Sequence, residues 1–163
     1  MNRTVSFALL GASAIALAAC AAMAAGVAHE LQNSAPATVL SAMVEAAGRH
    51  DPGTARMAEA ALADANRSAD PDEVLGRLEG WAAHEAIAAA IFVVARHERD
   101  LRAALLEGAN AAGDSDSIAT LAGALLGARL GIEALPADWV RDVERTDELR
   151  SLAQAAADVL SMP

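Results

Sequence analysis

Aromatic residues are almost missing from this chain: two Trp, two Phe and no Tyr among 163 residues. Sheets draw on aromatic and β-branched side chains, so the deficit argues against them, and the core must be assembled from Ala, Leu, Val and Ile in closely packed helices. Positive charge is also scarce, with 12 basic against 22 acidic residues and a net charge of −10. Nucleic-acid binding requires the opposite balance, so that partner class is excluded. A single cysteine, Cys20, rules out an intrachain disulfide. A chain of this length can nevertheless bury one core without such a staple. No strand alternation of useful length and no fixed repeat is present. The expected fold is all-α, a single compact multi-helix orthogonal bundle over residues 1–163.

Punctuation divides the chain into helices. Ser34 or Ala35 with Pro36 opens a helix carrying Val39, Leu40, Met43 and Val44, which Gly48 and Asp51-Pro52-Gly53 close. Thr54 to Asn66 places Met57, Ala61 and Leu62 at helical spacing. Asp70-Pro71-Asp72-Glu73 is a start signal, with a cap, a proline in the first turn and a Glu three residues after the Asp. From Ala82 to Arg96 the run is apolar almost all round, which makes that helix central. Leu101, Leu105 and Ala109 share one face of the next helix. In the helix after residue 115, Ala119, Gly123, Gly127 and Gly131 recur at spacing four. Interior glycines cost about 1 kcal/mol each relative to alanine, so the row predicts a face that another helix approaches closely.

The first 25 residues carry two readings. Met1-Asn2-Arg3, an apolar run from Val5 and the tetrad Leu17-Ala18-Ala19-Cys20 have the layout of a secretory signal ending in a lipoprotein box. On that reading Cys20 is lipidated and the protein is membrane-anchored. The alternative is a buried alanine-rich helix over residues 13–28, in which Cys20 is a small apolar filler. The alanine run continues through Met23-Ala24-Ala25-Gly26 with no polar linker after the tetrad, which favours the buried helix and a cytoplasmic protein.

One stretch is chemically out of place in so apolar a chain: Gly113-Asp114-Ser115-Asp116-Ser117. Asp114, Asp116 and Ser117 are hard oxygen donors, suited to Mg²⁺, Mn²⁺ or Ca²⁺ rather than to zinc or copper. Gly113 permits a tight turn before them. The same letters also suit a helix start, with Asp114 or Ser115 as cap and Asp116 in the first turn. An EF-hand is excluded, because Ile118 and Leu125 fall where its third ligand and its bidentate Glu belong. Four further positions have both a functional and a structural reading. Glu85 is a site carboxylate or a helix-start residue. Trp81 is a ligand-stacking ring or a packing anchor. Asn110 and Gly113 shape the turn or touch substrate and the metal shell. His84-Glu85 lacks the second His of a zinc-protease helix.

Taken in order, Gly80-Trp81-Ala82-Ala83-His84-Glu85-Ala86, then Leu105 to Asn110, then Gly113-Asp-Ser-Asp-Ser-Ile-Ala119, resemble the ADP-ribosylglycohydrolase family. Leu135-Pro136-Ala137-Asp138-Trp139 and the acidic helix after it resemble the family's closing segment, so the likeness is strongest over residues 72–160. The resemblance implies an all-helical hydrolase that releases ADP-ribose from modified proteins, often at arginine, or from related conjugates. It also implies a pair of Mg²⁺ or Mn²⁺ ions held by two ligand sets far apart in sequence. Asp114, Asp116 and Ser117 stand in the later set, with Ser in place of the more frequent Thr.

The earlier set of such enzymes lies in a Thr-Asp-Asp stretch near the start of a longer chain. No Asp-Asp pair occurs in this sequence. The 163 residues thus read as the C-terminal half of such an enzyme. They are expected to have low or no activity alone and to need a complementing N-terminal half. A non-catalytic helical binding module and an exported lipoprotein are the other readings.

Overall fold

The computed structural model describes residues 3–160, with side chains from Ala12 to Val159. Residues 1–2 and 161–163, and the side chains at the head of the signal-like segment, lie outside the described residues. The secondary structure is α1 (Arg3–Leu31), α2 (Pro36–Gly48), α3 (Pro52–Asn66), α4 (Pro71–Leu78), α5 (Ala83–Arg96), α6 (Leu101–Ala109) and α7 (Ser115–Leu130). A 3-10 turn (Ile132–Ala134) follows, then α8 (Ala137–Asp142) and α9 (Thr146–Leu160). There is no strand among the described residues, so the all-α expectation holds.

Local chemistry explains the boundaries. Proline occupies the first turn of α2, α3 and α4, where a missing N–H costs nothing. Asp51, Asp70 and Asp100 cap α3, α4 and α6, accepting from the amides of Thr54 at 2.6 Å, Asp72 at 2.9 Å and Ala103 at 2.9 Å. The α3 helix therefore begins at Pro52, two residues before the Thr54 start expected from the pattern.

The central helix is α5. Every residue from Ala86 to Val94 is buried, with Ile87, Ile91, Phe92 and Val93 filling the space toward α1, α3 and α7. Its alanines let those neighbours approach closely. Truncating Phe92 to Ala here would cost about 3–5 kcal/mol. Two charged clusters brace the rim. Glu30, only 2% exposed, pairs with Arg129, whose other guanidinium nitrogen donates to the Ser34 carbonyl at 2.6 Å, locking α1 to α7. Asp64 accepts from both Arg67 at 2.6 Å and Arg77 at 2.5 Å, tying the end of α3 to α4.

The glycine row of α7 behaves differently from its pattern. A Cβ on Gly123 would sit 2.8 Å from Leu105 of α6, as expected of a close-approach face. Gly127, however, has open space, and Gly131 is the cap that ends the helix at φ 73°. A close approach to a neighbouring helix's backbone is instead found at Gly108 of α6, where a Cβ would lie 2.9 Å from the Cα of Ala119. Spacing identified the row but not its partner, because two of its three members serve other ends.

Candidate functional site

The acidic knot forms where two chain turns interlock. The α4 helix ends with Glu79 at φ 52° and Gly80 at φ 84°, and the Glu79 carbonyl accepts the Asp114 amide at 2.7 Å. Gly113 lies directly against that carbonyl at φ 80°, and a Cβ there would come within 2.1 Å of the oxygen. Only glycine fits both the conformation and the space. This latch sets Asp114 as the residue preceding α7, with Asp116 and Ser117 in its first turn. Ile118, fully buried beneath, packs under Gly80 and fixes the height of the knot on the core.

The Asp114 carboxylate makes no capping hydrogen bond of good geometry to the α7 amides. Its pKa is nonetheless held below the ordinary carboxylate value, first by the Ser117 hydroxyl and then by the Asp116 carboxyl and the Ser117 amide. The ionised form of Asp114 is therefore favoured beside the positive end of a helix. Asp116 and Ser117 also line a cleft of about 410 Å³ between α1, α5 and α7. Its walls are Ala19, Cys20 and Met23 on one side and Ile87, Thr120 and Leu121 on the other. Reading the sequence for acids alone passed over Thr120 and Leu121. They stand four residues after Asp116 and Ser117 on the same helix, so helical spacing was the signal that could have found them.

The other residues singled out earlier are distributed around this knot. Glu85 accepts the Ala82 amide at 2.9 Å, a helix-start role within α5. Asn110 ends α6 and donates its side-chain amide to the Leu106 carbonyl at 2.6 Å, so it is engaged in its own turn. Trp81 is 69% exposed and so does not anchor the core. It follows Gly80 directly, beside the latch. Among the described residues no three His, Cys, Asp or Glu side chains converge as a metal-binding group. Two carboxylates and a hydroxyl suit a hard cation chemically but form one wall only.

With that geometry in place, the comparisons are decisive on ancestry. The family profile for ADP-ribosylglycohydrolase matches residues 8–162. The chain belongs to the ADP-ribosylglycohydrolase family. It is 41% identical over 51 residues to ADP-ribosylhydrolase ARH3 of Danio rerio, covering 31% of this chain and 14% of that protein. It is 42% identical over 55 residues to the ADP-ribosylarginine hydrolase Tri1 of Pseudomonas putida, covering 34% and 15%. Against ARH3 of Mus musculus the identity is 35% over 95 residues, 52% of this chain and 26% of that protein. No solved structure matches significantly. The chain thus spans between 14% and 26% of the length of these curated relatives. Family membership accounts for the all-helical fold and for the ordered segments from Gly80 to Ala119.

Proposed function

We propose that these 163 residues supply the later metal-ligand wall of an ADP-ribosyl hydrolase site, and that the second wall comes from outside them. Asp114, Asp116 and Ser117 are the ligands, and the observation that carries the reading is their placement together behind the Gly113 latch, with Asp116 and Ser117 on the wall of a cleft, in a chain of this family. When bound, a pair of Mg²⁺ or Mn²⁺ ions supplies water activation and charge stabilisation at the glycosidic carbon. In the hydrolysis, water oxygen bonds to the anomeric carbon of the ribose, the bond to the modified side chain breaks, and that side chain leaves with a proton. The residues named here orient that chemistry. The substrate class is an ADP-ribosylated protein or small ADP-ribose conjugate.

A single wall cannot do this well. Mg²⁺ demands near-octahedral coordination, and ions held from one side keep mobile waters, so the preorganised field that lowers the barrier is lost. The second reading is a non-catalytic binding module with weak metal or ADP-ribose affinity. Release of ADP-ribose from a modified arginine peptide in Mg²⁺ decides between them. The isolated chain should show little or no turnover. Addition of a polypeptide carrying the family's Thr-Asp-Asp half should restore it, and Asp114→Ala should abolish the restored activity. Robust turnover by the isolated wild-type chain, lost in Asp114→Ala, would show that this chain holds a complete site. No turnover in any combination favours the binding module.

A further inference from the structure

The surface on which a second wall would rest is visible on α1. The helix window from Ala12 to Leu31 has a mean hydropathy of 1.7, yet only 17% of it is buried. Its inner stripe, Ala18, Ala19, Ala22 and Glu30, meets the core, whereas Ala12, Ala16, Cys20, Ala24 and Ala28 recur at spacing four on the exposed side. Leu17 and Leu31 flank that stripe at 53% and 59% exposure. No charged residue occurs between Arg3 and Glu30. Such a face, with small residues in a row and apolar flanks, accepts another helix at close range. It is continuous with the cleft, whose α1 wall is Ala16, Ala19, Cys20 and Met23 and whose opposite edge is Asp116 and Ser117. A helix laid on α1 would therefore end beside the acidic knot.

The size of the relatives says what covers this face. The 95 matched residues form 26% of the mouse protein, which is therefore more than twice as long as this chain. We infer that the outer face of α1 and its cleft are the seat of the part of the family domain that this chain lacks, a helical, carboxylate-bearing polypeptide. The inference rests on the reading of the knot as one wall of a shared site. It adds which surface joins the two.

Cys20 makes the seat measurable, because it is the single thiol in the chain and is exposed on the face in question. The chain is co-expressed with the part of the Pseudomonas putida hydrolase that has no counterpart here, and maleimide labelling of Cys20 is followed by mass spectrometry. The two polypeptides should co-purify, with labelling slowed on the order of tenfold relative to the chain alone, as expected for a thiol that becomes buried. Leu17→Asp, a change at an exposed position, should prevent co-purification while leaving the helical content and melting temperature of the isolated chain unchanged. The proposal is overturned by failure to co-purify, by undiminished labelling in the complex, or by a Leu17→Asp variant that still assembles. It is also overturned if the isolated chain is already a dimer with Cys20 protected, or if phosphatidylcholine vesicles alone protect it. Assembly with Cys20 protected but no ADP-ribose release leaves the seat standing and removes the hydrolase reading. Release with Cys20 fully reactive does the reverse.

Discussion

Two helix starts in this molecule use nearly the same letters for different ends. At the head of α3, Asp51-Pro52-Gly53-Thr54 directs its carboxylate inward: one Asp51 oxygen accepts the Thr54 amide at 2.6 Å and the Thr54 hydroxyl at 2.7 Å. Thr54 is fully buried, so that hydroxyl has no recourse to water. At the head of α7, Asp114-Ser115-Asp116-Ser117 has the same carboxylate and hydroxyl at the same separation, but Ser117 and Asp116 lower the Asp114 pKa and themselves line a cleft. The difference lies beneath them. The α3 cap sits over buried Thr54, whereas the α7 knot is raised by the Gly113 latch against the Glu79 carbonyl. The carboxylate of the first is committed to a buried cap, and that of the second makes no such cap.

Breaking the latch should have the largest effect. Gly113→Ala puts a methyl 2.1 Å from the Glu79 oxygen and forces an L side chain to φ 80°. Crowding of backbone, together with left-handed strain, should cost about 3 kcal/mol or more, read as a lowered denaturation midpoint. An unchanged midpoint would mean that the turns are not interlocked.

The α3 cap comes next. Asp51→Ala removes a cap and leaves a buried hydroxyl without its partner, so about 2 kcal/mol should be lost in chemical denaturation. The Asp51 pKa is lowered in the fold, first by the Thr54 hydroxyl and then by the Thr54 amide. The folded state thus binds fewer protons than the unfolded one near this group. Its contribution is complete above the ordinary carboxylate value and is lost as pH falls through the lower folded value. Stability curves of wild type and Asp51→Ala should accordingly converge in acid. Parallel curves down to the acid limit would remove the cap from the account.

How much of this was legible in the letters can be judged from the same two places. The α7 start near Ser115, the proline-led helices at Pro36 and Pro71 and the all-round apolar Ala86–Val94 run were readable, because they rest on local propensity and period. The α3 start was not: Asp51-Pro52-Gly53 reads as a turn closing α2, whereas Asp51 caps α3 and Pro52 and Gly53 lie in its first turn. The family likeness also stood in the ordered segments from Gly80 to Ala119. The partner of each turn was not readable. Nothing near Gly113 in sequence points to Glu79, which reaches it only because the tertiary fold brings the turn after α4 against the turn before α7. For the same reason the Gly123–Gly131 row suggests one close neighbour along its length, whereas only Gly123 meets one, Gly127 faces open space and Gly131 ends the helix. Trp81 reads as a packing anchor from its size and stands exposed.

The smallest stability effect, and the one that sharpens the contrast most, belongs to Asp114→Ala. Its carboxylate makes no capping hydrogen bond of good geometry to α7, and Ser117 and Asp116, which lower its pKa, are near the surface and well screened. Loss of stability should therefore stay within about 0.5 kcal/mol, against the larger loss for Asp51→Ala. Cation binding should follow the opposite order. If the α7 knot is a ligand wall, Mn²⁺ should raise the melting temperature of the wild type slightly and of Asp51→Ala by the same increment, since the α3 cap offers it nothing. The increment should vanish in Asp114→Ala and Asp116→Ala, because each removes one of only two carboxylates. In the wild type the increment should be present at neutral pH and fade in acid, as protonation of Asp114 competes with the metal. An equal Mn²⁺ increment in all four proteins would assign the effect to general acidity of the surface, and the two helix starts would then differ in packing alone.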